Sequence, residues 1–264
     1  MHVLILGADG MIGRKLALAI ADACTLAGRP VTAMTLADRA APPAPGPLAS
    51  SVAADLADPG TAARLVADRP GVIFHLAAVV SAEAEADLEK GYRVNLDGSR
   101  ALVEAIRALP GYCPRLVFAS SCAVYGAPFP EVIPDYFTPR PLTSYGTQKL
   151  MTELLLNDFS RRGILDAVSL RLPTICVRPG APNRAASGFF SGILREPLAG
   201  LPATLPVPDS QRHWFASPRA AVGFFLHAAA IDTGLLGSDR GLNMPGLSAT
   251  VGDQIAALRR VAGE

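Results

Sequence analysis

The chain has 264 residues, half of them apolar, with 24 Lys or Arg against 23 Asp or Glu and a net charge of +1. That length suits one large domain, or one domain with a small appendage, and the composition suits a sheet buried between two helical layers. The near-neutral charge argues against a broad field for nucleic acid or acidic membranes. Lys, Arg or Asp interrupts every apolar run before it is long enough to span a bilayer, and Val3-Leu4-Ile5-Leu6 is too short for a secretory signal. The cysteines Cys24, Cys113, Cys122 and Cys176 are scattered with no CxxC, so no metal site is expected. Reduced thiols and a cytoplasmic location are the expectation.

In chain order, residues 2–6 read as a strand, and residues 11–26 as a helix through Ile12, Leu16, Ala19 and Ile20. A strand is expected over 31–36, then a proline-rich loop over 40–48, unsuited to helix or central strand. A short strand follows over 51–54, and a helix over 59–68 with Pro59 near its start. Residues 72–76 read as a strand, 83–108 as a helix in two pieces near Asn95, and 115–120 as a strand. A helix over 144–161 takes Ser144 as its N-cap, and a strand covers 167–170.

This alternation implies βαβ units with right-handed crossovers. The expected fold class is α/β: a Rossmann-type doubly wound parallel sheet over residues 1–172. Prolines 173, 179, 182, 197, 202, 206 and 208 then break the rhythm. Residues 173–264 are expected to form a small C-terminal substrate lobe, interleaved with the first unit, with helices over 187–198, 218–231 and 250–262. The last helix shows no clear stop, so further residues are expected beyond it.

Gly7-Ala8-Asp9-Gly10-Met11-Ile12-Gly13 is a GxxGxxG run between the first strand and the first helix. Gly7 permits a tight turn, Gly10 lets backbone N–H groups approach a pyrophosphate, and Gly13 lets the helix pack close. Met11 and Ile12 begin a helix whose unpaired N–H groups and dipole favour anions. A glycine pattern alone is a weak signal, and its place after the first strand makes it a dinucleotide loop. Asp38 follows the second strand, where a carboxylate binds ribose hydroxyls and repels a 2′-phosphate, which favours NAD. Arg39 beside it is the residue that would serve a phosphate instead. Asp55-Leu56, after the third strand, meet the adenine, or Asp55 caps a helix; both readings stay open.

Tyr145 and Lys149 stand four apart on the expected helix and share one face. Tyrosine titrates near pH ~10, too high for a base at neutrality. A nearby cation and a positive nicotinamide ring favour the phenolate, so the Tyr145 pKa is expected to fall. Tyr145 then takes a hydroxyl proton while hydride leaves the same carbon. Such pairs are ordinary helix surface on their own. Ser121, at the carboxyl end of a strand where these folds hold ligands, turns the pair into a site. Its hydroxyl orients the reacting oxygen toward Tyr145, with Ser120 as the competing choice. Cys122 has no activating partner and is not expected to be a nucleophile.

The segments GADGMIG, HLAAVVS (residues 75–81), YRVNLDG (residues 92–98), SSCAVYG and YGTQK together resemble the extended short-chain dehydrogenase/reductase family. The resemblance spans nearly all of the nucleotide-binding part. It departs at Leu6, where many relatives carry Thr or Ser. It implies that Leu76, Ala77 and Ala78 line the cofactor, that Asn95 lies near the active site, and that Pro173 and Thr174 flank the nicotinamide. It also implies that Lys149 binds the nicotinamide ribose, and that a homodimer forms through the helices over 83–108 and 144–161.

Two later segments, RLPTICVRPGAPNRAASGFFSGILREPLAG and RHWFASPRAAVGFFLHAA, resemble a branch of the family that oxidises the C2 hydroxyl of a small sugar acid to the 2-keto acid with NAD. A sugar-acid carboxylate wants Arg, or N–H and hydroxyl donors. Arg178, Arg184 and Arg212 are the candidates. Similarity to the family's uronate dehydrogenases also points to Ser81, Thr174 and the Asn183-Arg184 pair for the substrate. His213 and Trp214 read as packing, as do His75 and the Phe189-Phe190 and Phe224-Phe225 pairs. Competing readings are a nucleotide-sugar epimerase or dehydratase on the same fold, with Arg212 as diphosphate anchor, and a non-catalytic dinucleotide-binding regulator.

Overall fold

The computed structural model describes residues 1–180 and 185–263. Its elements run β1 (His2–Leu6), α1 (Met11–Ala23), β2 (Thr25–Leu26), β3 (Arg29–Pro30), β4 (Ala33–Asp38), β5 (Ala49–Ala53), α2 (Thr61–Val66), β6 (Val72–His75), α3 (Ser81–Ala86), α4 (Leu88–Tyr92) and α5 (Gly98–Arg107). They continue as β7 (Arg115–Ser121), α6 (Ser144–Arg161), β8 (Asp166–Leu172), β9 (Thr174–Ile175), α7 (Phe189–Leu198), β10 (Arg212–Ala216), α8 (Pro218–Ala230), β11 (Gly241–Asn243), β12 (Leu247–Thr250) and α9 (Val251–Ala262).

Seven strands form one sheet in the order β11-β8-β7-β6-β1-β4-β5, and every neighbouring pair in it is parallel. The strand order reverses between β1 and β6, so the carboxyl ends of these two strands open a crevice. Side chains alternate across the sheet. Val3 and Ile5 pack with Leu16 and Ile20 of α1 and Phe225 of α8 on one face. Leu4 and Leu6 pack with Leu102 and Ile106 of α5 and Leu156 of α6 on the other. This is the doubly wound α/β fold that the alternating pattern implies.

Several boundaries differ from the sequence expectation, each for a local reason. Helix α1 stops at Ala23 because Cys24 adopts a left-handed conformation (φ 53), and a two-stranded hairpin fills residues once expected as helix. Strand β4 reaches Asp38, which places that carboxylate on the strand's last residue. Helix α2 is only six residues long and starts after Gly60, leaving Pro59 outside it. The N-cap of α6 is Thr143, whose hydroxyl accepts the Gly146 N–H at 3.1 Å, so Ser144 is the first helical residue rather than the cap. The helix expected over 83–108 is broken at Asp87 and wound as a π-helix over Arg93–Asp97. A π turn inserts an extra residue and re-aims the side chains around it; here Asn95 is turned into the interior.

The last third contains strands that the sequence did not announce. β10 pairs in parallel with β9 and antiparallel with β12. This small sheet packs with α7 and α9 around Phe190, Ile193, Phe215, Ala249 and Val251. Helix α8 and β11 instead return to the large sheet.

His75 ends β6 and is 1% exposed. The Ser99 hydroxyl spends its proton on the Asn95 carbonyl at 2.8 Å, so the His75 Nε2 proton points to Ser99 at 2.9 Å. Nδ1 has no partner. Burial, helped by the Lys149 charge, pushes the His75 pKa down to about 3. Between pH 6.5 and about 3 the unfolded chain therefore binds a proton that the folded chain refuses, and stability falls as pH falls through this window. Urea melts between pH 7 and 5 should show the His75→Gln variant losing less stability than the wild type, by a slope of up to ~1.4 kcal/mol per pH unit. Equal slopes would mean that His75 is not held neutral.

Candidate active site

A cleft of about 530 Å³ opens at the carboxyl ends of β1, β4 and β6. Gly7, Gly10, Asp38, Asp55, Leu56, Leu76, Ala77 and Ala78 line it. Met11, Ile12 and Gly13 form the first turn of α1. That helix begins at Gly10, and no side chain caps it. Its free N–H groups are a ready anion site. A Cβ on Gly13 would sit 2.3 Å from the Gly7 carbonyl oxygen, so only glycine lets the helix approach the loop this closely. An uncapped helix end over a cradle that a side chain would fill fits a dinucleotide pyrophosphate. Asp38 accepts the Asp9 N–H at 2.9 Å and the Arg39 N–H at 2.7 Å, which fixes its carboxylate at the cleft.

Asp55 lines the cleft and also accepts the Ala57 N–H at 2.9 Å, so it caps a turn rather than helix α2. Arg93 and Asp55 form an ion pair at 3.6 Å, and Lys90 and Glu83 one at 2.6 Å. All four side chains belong to the cleft wall. Of these, Glu83, Lys90 and Arg93 escaped the sequence reading because they stand on helices away from the glycine motif. The Asn95 amide accepts the Val79 N–H at 2.9 Å and donates to Gln148 at 2.7 Å and to the Val79 carbonyl at 3.2 Å. Its side chain thus ties the cofactor-side loop to α6, with no N–H left for a ligand.

At the end of β7 the two serines point in opposite directions, as successive strand residues do. Ser120 is buried and donates to the Glu153 carboxylate. Ser121 accepts the Ala123 N–H at 3.1 Å, and its hydroxyl faces the Tyr145 phenol closely enough to favour the phenolate. Helix α6 lies against this turn so closely that a Cβ on Gly146 would stand 2.1 Å from the Ala123 carbonyl oxygen. The Lys149 ammonium donates to the Ala119 carbonyl at 2.8 Å and lies 5.5 Å from the Tyr145 ring centre. Ser121, Tyr145 and Lys149 therefore meet in one place.

The expected fall in the Tyr145 pKa is not what the chain itself produces. Burial pushes the phenol up to about 12, reinforced by Cys122 and opposed by Ser121 and Arg178. Burial also pulls Lys149 down to about 7, against the pull of Glu153. Desolvation penalises both charged forms, and for these two groups it outweighs the charges the chain supplies. Burial raises the Cys122 thiol as well, which disfavours its thiolate.

On the substrate side, the Ser81 hydroxyl accepts the Ala186 N–H at 3.0 Å and pins α3 to the segment before α7. Pro173 is buried between β8 and β9, and Thr174 meets His213 Nε2 at 2.7 Å. His213 stacks on Phe190 with ring centres 4.5 Å apart. Arg212, the neighbour of His213 on β10, is exposed and reaches toward the Ser248 carbonyl at 3.4 Å. Alternation along the strand sends it away from Thr174 and the site. Asn183 and Arg184 lie outside the described residues. Arg178 is half-buried, and its backbone is held by the Ser191 hydroxyl at 2.9 Å and by Arg195 at 2.8 Å. Its guanidinium makes no hydrogen bond or ion pair with the described residues, and its charge reaches Tyr145.

No group of His, Cys, Asp or Glu among the described residues is arranged to hold a metal. No helix among them is long and apolar enough to cross a membrane.

A dinucleotide cleft beside a Ser-Tyr-Lys cluster on a doubly wound sheet defines an NAD-dependent oxidoreductase. Residues 3–230 match the model of the NAD dependent epimerase/dehydratase family, and the chain belongs to that family, with NAD as its cofactor. Its relatives include the D-erythronate dehydrogenases of Cupriavidus necator and Haemophilus influenzae. The first is 48% identical over all of this chain and 82% of its own length. The second is 40% identical over all of this chain and 83% of its own length. This kinship makes the chain an NAD-dependent dehydrogenase. Among solved structures, a nucleoside-diphosphate-sugar epimerase from Agrobacterium tumefaciens is 60% identical with a TM-score of 0.96, covering all of this chain and 79% of its own. A Thermus thermophilus UDP-glucose 4-epimerase complexed with NAD is 26% identical with a TM-score of 0.79, covering all of this chain and 84% of its own.

Proposed function

We propose that this chain oxidises the C2 hydroxyl of a small sugar acid, D-erythronate first among the candidates, to 2-dehydro-D-erythronate. The convergence of Ser121, Tyr145, Lys149 and Arg178, whose guanidinium is unpaired among the described residues, carries the reading. Residues 1–172, with α8 and β11, hold the cofactor: Gly7, Gly10, Met11, Ile12 and Gly13 at the pyrophosphate, Asp38 at the adenosine ribose, and Leu56, Leu76, Ala77 and Ala78 along the walls. The rest of residues 173–264 forms the substrate lobe, with Pro173 and Thr174 beside the nicotinamide. NAD, when bound, accepts the hydride and adds positive charge near Tyr145.

The residues of the chain do the remaining work. Ser121 donates to the reacting oxygen and orients it. Tyr145 takes the hydroxyl proton as general base. Lys149 supplies the cation that opposes the burial of the phenolate. Arg178 binds the substrate carboxylate, because a half-buried guanidinium without an acceptor among the described residues wants an anion. Its charge reaches Tyr145, which would bring that anion toward the reacting carbon, as a 2-hydroxy acid requires. Ser81 and Thr174 supply further hydroxyls.

The nucleotide-sugar epimerase reading has its own support in the Agrobacterium tumefaciens relative. It requires a diphosphate anchor, and Arg212 faces away from the cluster. Leu88 on α4 and Met151 and Leu154 on α6 are exposed apolar residues and support a homodimer through these helices.

NADH formation, followed by absorbance with a panel of four- to six-carbon aldonates and uronates, is expected with D-erythronate and NAD. A folded, NAD-binding sample that oxidises none of them would sink the reading. Tyr145→Phe should abolish turnover and leave NAD binding intact; near wild-type turnover would mean that the base is another residue. Arg178→Met should raise KM for the acid about tenfold or more while KM for NAD holds. An unchanged KM for the acid would remove Arg178 from the substrate site. Light scattering after size exclusion should give twice the 27.5 kDa chain mass, and a monomer would refute the dimer.

A further inference from the structure

Glu153 belongs to none of the motifs above, and Arg171 only opens one of the two later segments, yet they form the most enclosed ion pair among the described residues. Their side chains are 2% and 4% exposed, at 2.8 Å separation. The Glu153 carboxylate collects Arg171 Nη2 at 2.8 Å, Arg171 Nε at 3.1 Å and the Ser120 hydroxyl. Arg171 Nη1 donates to the Tyr125 hydroxyl at 3.0 Å. Tyr125 in turn donates to Asn243 of β11 at 2.8 Å.

Ser120 and Tyr125 bracket the turn that carries Ser121, so one ion pair grips that turn at both ends. Tyr145, Lys149 and Glu153 stand four apart on α6 and share one face. The same pair therefore joins the helix of Tyr145 to the turn of Ser121. Stability alone is a poor reason for such a pair, because the desolvation of two buried charges offsets their attraction.

We infer that the Glu153–Arg171 pair is a positioning device, which sets Ser121 against Tyr145 and keeps a carboxylate one helical turn from the Lys149 ammonium. The inference rests on the roles assigned above to Ser121, Tyr145 and Lys149. The titratable and charged groups facing Lys149 are Tyr145 and Glu153 on α6 and His75 at the end of β6. His75 is neutral, so Glu153 is the carboxylate that offsets the burial of the ammonium. Across the turn, a displacement of about 1 Å between reacting groups is enough to cost about a hundredfold in rate.

Two variants test this, with Tyr145→Phe as control. Glu153→Gln keeps the shape and removes the charge; Ser120→Ala removes one hydrogen bond and keeps both charges. Folding is judged by near-ultraviolet circular dichroism and thermal melting. Glu153→Gln is expected to lose about tenfold or more in kcat while KM for NAD moves less than about threefold. The rising limb of its rate–pH profile should shift to higher pH, because Lys149 loses its proton more readily and Tyr145 then loses its cation. Ser120→Ala should fold normally and lose about threefold or more in kcat with the limb in place. If Glu153→Gln does not fold, Ser120→Ala decides alone. Wild-type kcat and pH limb in a folded variant, or a loss that follows only the folded fraction, overturns the inference. Turnover surviving in Tyr145→Phe would instead overturn the assignment beneath it.

Discussion

All seven strands of the main sheet run the same way, so all their carboxyl ends lie along one edge. A parallel sheet needs crossovers on both faces, which leaves that edge as the place where loops can converge without burying unpaired backbone. Gly7 follows β1, Asp38 ends β4, Leu76 follows β6, Ser121 ends β7 and Pro173 follows β8. Residues scattered over most of the chain become neighbours through strand direction alone.

Helix α6 completes the arrangement by breaking the usual rule for a helix packed on a sheet. Its buried side chains include Gln148, Lys149, Thr152 and Glu153. Each polar group except the Gln148 Nε2 finds a partner: Asn95 for Gln148, the Ala119 carbonyl for Lys149, the Gln148 carbonyl for Thr152, and Arg171 with Ser120 for Glu153. Buried polar groups satisfied in this way hold one geometry and resist rearrangement. The cost is borne by the charged forms of Tyr145 and Lys149, both of which burial disfavours. Burial thus keeps the Tyr145 phenol protonated at neutral pH.

The legible parts of the sequence were those governed by local pattern. The apolar run of β1, the glycines after it and the Tyr145–Lys149 spacing each carry their meaning within a few residues. What stayed hidden depends on distant partners. β9 and β11 are two and three residues long, too short for any periodicity, and exist because β10 and β8 pair with them. The π turn over Arg93–Asp97 follows from Asn95 reaching across to Val79 and Gln148, not from a breaker residue. Arg171 lies just past the strand expected over 167–170, and its partners Glu153, Tyr125 and, through Tyr125, Asn243 are too distant in sequence for any local pattern to reveal. The rise that burial imposes on the Tyr145 pKa stayed hidden for the same reason: helical spacing reveals the neighbouring cation and not the depth of burial.

Phe74 of β6 meets Phe225 of α8 edge to face, with ring centres 6.3 Å apart, and Arg171 of β8 reaches Asn243 through Tyr125. Both partners are encoded late in the chain. During synthesis, which proceeds from the N-terminus at about 5–20 residues per second, the first 172 residues emerge with one face of their sheet covered by α1 but not yet by α8. That nascent intermediate carries an apolar surface around Phe74 and an edge strand without its neighbour, the features that invite chaperone capture or aggregation. The turn that carries Ser121 therefore gains its full set of hydrogen bonds only after Asn243 has left the ribosome.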